Sequence, residues 1–233
     1  MKKFVSSKVA SDTVVRSVYA QDFDKGLAAA QAGDFATALQ EWRPLAERGD
    51  IDAQYNLGLM HEKGDGVARD HFEAVKWYRM AVEQGLATAQ YNLASMYEKG
   101  EGLQQDNKEA VNLYRKAAKQ GRVAAQYNLG LMHYKGMGVQ QRCKEAVKWY
   151  HKAAAQGHAS AQCNLAGMYE RGEGILQDYV AAHMWYNIAS ANGNELGAKN
   201  RDKIAKKMTA EQIAEAQAMA RKCMASDYEN CGY

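Results

Sequence analysis

The sequence predicts an all-α fold, a solenoid built from 36-residue helix–turn–helix repeats. Three observations carry this expectation. AQYNLGLMHEKGDGV at 53–67 recurs as AQYNLASMYEKGEGL at 89–103, AQYNLGLMHYKGMGV at 125–139 and AQCNLAGMYERGEGI at 161–175, always 36 residues apart. Within each copy the apolar residues keep helical spacing, as Ala53, Leu57 and Met60 do at i, i+4 and i+7. A single proline, Pro44, stands against 20 glycines, which reads as helices broken by glycine turns rather than as strands.

The elements follow in chain order. Residues 1–20 open with Met-Lys-Lys and end in Val18-Tyr19-Ala20, the two ends of a secretory signal, but Lys8, Asp12 and Arg16 interrupt the apolar stretch between them. They are read as a degenerate signal-like segment. Residues 21–50 form a capping repeat: one helix over 23–32, the Gly33-Asp34 turn, and a second over 35–48. In the second, Ala38, Trp42 and Gly49 lie 36 before Ala74, Tyr78 and Gly85. Residues 51–195 hold four full units. Each has a first helix, a glycine pair such as Gly64 and Gly66 where a helix stops and the chain needs positive φ, and a second helix ended by Gly85 or its equivalent. Small residues such as Ala53, Gly58, Ala74 and Ala81 let helices approach, and Tyr and Trp fill the larger gaps. No unit can bury its apolar face alone, so stacking supplies the core. Residues 196–233 are a cap with helices over 198–206 and 209–224, the second opened by a capping box of Thr209 and Gln212.

Composition excludes several classes. The formal charge is +3 over 233 residues. Lys2, Lys3, Lys8 and Arg16 against Asp12 account for all of it, so residues 21–233 sum to zero. A neutral body lacks the counterion-release term that dominates nucleic-acid binding, and no nucleic-acid partner is expected. No stretch approaches the roughly 20 apolar residues of a membrane span, so no integral membrane segment is expected. A basic run, Lys199, Arg201, Lys203, Lys206 and Lys207, reads as the solvated face of a capping helix or as a contact for an anionic surface.

The recurring pattern A-x-x-x-L-x-x-x-[YH]-x-x-G-x-G-[VLI], followed by D-x-x-x-A-x-x-W-Y-x-x-A-A-x-x-G, resembles the Sel-one-like repeat (SLR) family, a bacterial branch of the tetratricopeptide-type helical repeats. The resemblance implies an α/α right-handed superhelical solenoid whose first helices line a concave face. It also implies a non-catalytic scaffold or adaptor that binds a peptide or protein segment there, as a monomer and often after export. The candidate contacts are the first-helix columns Tyr55, Tyr91 and Tyr127; Asn56, Asn92, Asn128 and Asn164; and Lys63, Lys99 and Lys135, with Arg171 in the fourth cationic place. A column of amides can satisfy the backbone of an extended peptide without reading its sequence. The same amides can instead bond a neighbouring unit and hold the stack, and the cations can simply complement helix C-termini.

No catalytic residue, cofactor or metal site is expected. No Ser precedes a Lys by three positions, and neither a phosphate-binding loop nor H-E-x-x-H occurs. His61 and His133 occupy the place of Tyr97 and Tyr169, which reads as packing. The alternative function is a cell-wall or β-lactam-interacting protein with weak hydrolase activity. It comes from cysteine-rich relatives whose regular cysteine pair per repeat this chain lacks. Cys143 and Cys163 fall at opposite helix ends and should stay free. Cys223 and Cys231 flank a turn at Ser226-Asp227 and are candidates for a disulfide, which needs an oxidising compartment. A periplasmic or secreted location is therefore expected, with the cytoplasm as the alternative because charges interrupt the leading segment.

Overall fold

A computed structural model describes residues 16–229 and 231. Residues 1–15 of the signal-like segment lie outside the described residues. Twelve helices are described: α1 (Arg16–Gln31), α2 (Phe35–Glu47), α3 (Ile51–Lys63), α4 (His71–Glu83), α5 (Ala87–Lys99), α6 (Asn107–Lys119), α7 (Val123–Lys135), α8 (Cys143–Ala154), α9 (Ala159–Arg171), α10 (Tyr179–Ala191), α11 (Glu195–Ala205) and α12 (Ala210–Ala225). No strand occurs among the described residues, and consecutive helices pack as hairpins: the fold is an all-α solenoid. The chain divides into two compact units, Met1–Lys116 and Ala117–Tyr233. Among the described residues no helix is long and apolar enough to cross a membrane.

In the first unit, local chemistry sets each helix boundary. Asp50 and Asp70 sit at N-caps, where the Asp50 carboxylate accepts from Ala53 N at 2.8 Å and Asp70 from Phe72 N at 2.9 Å. At the other end Gly64 takes φ +81° and its N–H returns to the Met60 carbonyl, a left-handed cap that a side chain would resist. The second glycine of each pair has a different task. A Cβ on Gly66 would lie 2.5 Å from that of Phe35, so this glycine lets the loop settle on the start of the preceding hairpin's second helix. Gly102 meets His71 in the same way.

The core of this unit begins at the capping hairpin. Phe23, Trp42, Leu45, Leu57 and Met60 are buried together. The Trp42 indole nitrogen donates to the Phe23 carbonyl at 3.2 Å, so the large ring is buried with its donor satisfied. Gly26 abuts Trp42 as Gly58 abuts Tyr78, which places Trp42 in the tyrosine column inferred from its spacing. The expected helix over 23–32 begins earlier, at Arg16. Residues 16–22 contain neither proline nor glycine, so nothing in the chain stops the helix there, and residues 18–20 lie within its backbone.

The second unit repeats the same devices and ends in the cap. Met168, Met184, Trp185, Ile188 and Ile204 share one buried cluster with Cys223 and Cys231. Thr209 and Gln212 form the capping box at the start of α12. After α12, Asp227 and Tyr228 take φ of +50° and +69° and turn the tail back, one residue beyond the expected Ser226-Asp227 turn. The Tyr228 hydroxyl reaches Asn192, and a disulfide joins Cys223 to Cys231 with their Cα atoms 4.4 Å apart. Cys143 and Cys163 are free thiols.

Candidate functional site

The first helices α3, α5, α7 and α9 carry the candidate columns, and hydrogen bonds decide which members face solvent. Asn92 on α5 is 2% exposed and its amide donates to the hydroxyls of Tyr55 (3.3 Å) and Tyr78 (3.1 Å). The Tyr78 hydroxyl in turn donates to Glu62 at 2.6 Å. Burial, reinforced by the Glu62 carboxylate, holds the Tyr78 phenol well above its usual range, so it stays a donor. Tyr114 and Tyr186 make the same bond to Glu98 (2.8 Å) and Glu170 (2.9 Å).

This geometry corrects part of the expected contact surface. Tyr55, Asn56 and Asn92 are at most 3% exposed, so they belong to the interior in this conformation and are not open to a partner. Nor does Asn92 bond a neighbouring backbone. It ties two phenols of the preceding hairpin, because it lies where α5 meets α3 and α4 and a side-chain amide there can donate twice. Tyr91, Tyr127, Asn128 and Asn164 are half-buried. The ring of Tyr127 stacks on His158 at 4.6 Å.

The cations Lys63, Lys99 and Lys135 are exposed at helix C-termini, each ahead of a left-handed glycine. Three members of the row carry a carboxylate two residues on: Lys63 with Asp65 at 3.9 Å, Lys99 with Glu101 at 3.8 Å and Arg171 with Glu173 at 2.9 Å. Lys135 has Met137 in that position. On the basic run, Arg201 bonds Asn187 and Asp202, and Lys207 reaches Glu170 at 3.5 Å, so that run is partly neutralised by its own fold.

A second amide column runs beside the asparagines. Gln54 donates to the Ala46 carbonyl, Gln126 to Ala118 and Gln162 to Ala154, at 3.0, 3.3 and 3.0 Å. Their oxygens accept from Gln84 (2.9 Å), Gln156 (2.8 Å) and Asn192 (2.9 Å). These glutamines knit one hairpin to the next. The signal was present, since Gln54, Gln90, Gln126 and Gln162 are as invariant across the copies as the asparagines.

Consecutive hairpins, joined by interior amides and bearing side chains in columns on their first helices, define a helical-repeat protein. The chain belongs to the Sel1 repeat family, which matches residues 51–86, 87–121, 123–158 and 159–194. Repeats of this family commonly serve as non-catalytic scaffolds for protein interaction. The chain is similar to a protective antigen of uropathogenic Escherichia coli strains that displays an SLR fold, at 36% identity and a TM-score of 0.82 over 91% of this chain. It covers 47% of that protein, so it spans about half its length. It is also similar to a Sel1 repeat protein of Oxalobacter formigenes, at 32% identity and a TM-score of 0.74, covering 87% of this chain and 84% of the other. No curated protein matches.

Proposed function

We propose that the protein is a non-catalytic scaffold that binds a peptide or protein segment along the face of its first helices. The observation that carries this reading is the spacing of the half-buried and exposed members of those helices. Tyr91 and Tyr127, Asn128 and Asn164, and Lys63, Lys99 and Lys135 recur on one 36-residue register. Interior hydrogen bonds hold Asn92 inside the stack, while the lysines lie at exposed helix ends. A row of cations with weak, exposed carboxylate neighbours suits an acidic segment, since exposed pairs of this kind are worth little and exchange readily.

A periplasmic or secreted location is part of the proposal. The Cys223–Cys231 bond supports it, because such bonds persist in oxidising compartments. Two thiols per chain in denatured protein from its native host, not four, is the expected titration.

Charge reversal tests the surface. A Lys63→Glu, Lys99→Glu, Lys135→Glu variant, checked for unchanged helicity, should lose the proteins that copurify with the wild type from native extract. Retention of every copurifying protein by the folded variant would reject the first-helix face as the contact.

A further inference from the structure

The fourth repeat breaks the tyrosine column, and the break coincides with a cavity. In the first three repeats a first-helix ring packs on a second-helix ring of the same hairpin: Tyr55 on Tyr78 at 5.8 Å, Tyr91 on Tyr114 at 5.6 Å and Tyr127 on Tyr150 at 6.0 Å. In the fourth, Tyr186 keeps its place and Cys163 stands where the opposing ring would be. The asparagine column nevertheless continues one step further. Asn200 on α11 lies 36 residues after Asn164, and it lines the same cavity as Cys163. Asn92 donates to the phenol 37 residues before it, and Asn200 holds the same register to position 163. The donor for a phenol is therefore built, and the phenol is missing.

A second irregularity borders the same space. Glu62, Glu98 and Glu170 accept from the second-helix tyrosines, but the third repeat has Tyr134 in that position. The Tyr150 hydroxyl consequently lacks the carboxylate that Tyr78, Tyr114 and Tyr186 have, in a side chain only 1% exposed. Tyr150, Cys163, Asn164, Tyr186, Leu196 and Asn200 all line one cavity of about 230 Å³. A cavity of roughly 150 Å³ in a protein core already admits benzene, so the space suits a substituted ring. Leu196, 61% exposed, lies at its edge. The mixed lining, with the amides of Asn164 and Asn200 beside Met168 and Leu131, favours a ring carrying a polar group over a plain hydrocarbon.

We propose that this cavity is a binding site for a phenol ring, supplied by a tyrosine side chain of a partner segment. The ring takes the vacant place beside Tyr186 and completes the column, and its hydroxyl accepts from the Asn200 amide. The repeat itself provides the template for the ligand. The proposal rests on the scaffold reading only for the source of the ring, and a free probe tests the cavity without any partner.

The experiment titrates the full chain with p-cresol and with toluene by ligand-observed NMR. A small rigid ring of this size should bind p-cresol with a Kd of about 1 mM. Toluene should bind at least about fivefold more weakly, the worth of one hydrogen bond. Asn200→Leu should remove that preference. Cys163→Tyr fills the vacancy from within and should abolish binding of both probes. Leu196→Trp, at the exposed edge, serves as a second block should Cys163→Tyr fail to fold. No p-cresol binding at about 10 mM, or binding unchanged in the blocked variants, would overturn the site. Equal affinity for p-cresol and toluene would overturn its preference for a phenol. N-acetyltyrosine amide separates the sources: it should bind with an affinity like that of p-cresol, and its exclusion while p-cresol binds would overturn a partner's side chain as the occupant. Loss of copurifying proteins in the charge-reversal variant is read independently, so failure of the cavity and failure of the scaffold reading are distinguishable.

Discussion

Replacing Tyr78 by phenylalanine removes one hydroxyl and nothing else, and the structure fixes what that hydroxyl does. It donates to Glu62 at 2.6 Å and accepts from Asn92 at 3.1 Å, in a side chain that is 0% exposed. A hydrogen bond to a charged group contributes about 1.5–3 kcal/mol and a neutral one about 1 kcal/mol. Glu62 is half-buried and water can replace part of its loss, so the lower part of the range applies: about 2–3 kcal/mol. For a chain of this length that lowers Tm by roughly 4–12 °C. Tyr150→Phe is the matched control. Its hydroxyl is buried but lacks the carboxylate partner, so its removal should cost no more than about 1 kcal/mol. Urea unfolding followed by circular dichroism reads both variants. Because repeats couple mainly to their neighbours, hydrogen exchange should localise the Tyr78→Phe loss to residues 51–86 and the hairpins beside them. Equal shifts for the two variants would refute the assignment of Tyr78, Glu62 and Asn92 as one interior network.

Three further outcomes follow from the same geometry. Gly66→Ala should cost more than about 2 kcal/mol, since it places a Cβ 2.5 Å from Phe35 at φ +71°; Gly85→Ala, also left-handed but in open space, should cost about 1 kcal/mol, and parallel urea titrations compare them. Cys223→Ser should lower stability by about 2 kcal/mol, and reductant should bring the wild type down to the variant's Tm while leaving the variant unchanged. Burial pushes His61, His151, His158 and His183 below their usual range, so the unfolded chain takes up protons first as pH falls; stability should be full above about pH 6.5 and decline from there toward pH 5.5, as thermal melts across that window will read.

The sequence alone determined the architecture, because a repeat states the same local rules several times. Helical spacing, aspartate N-caps and paired glycines are decided by residues within four or five positions of one another, and such signals can be read directly from the chain. Trp42 could be placed in the tyrosine column from its offset alone, and Thr209 with Gln212 could be read as a cap. Depth could not be read in this way. Asn92 and Lys99 both recur on the 36-residue register, yet one is 2% exposed and the other lies at an exposed helix end. The difference rests on contacts between residues 14, 16, 30 and 37 apart, where antiparallel helices bring an amide to two phenols or a carboxylate to one. Periodicity says which residues share a face, but only packing says whether that face meets a neighbouring helix or water. The same holds for Tyr134 and Cys163: in the chain they are two isolated departures from a pattern, and only the folded hairpins bring them to the border of one cavity.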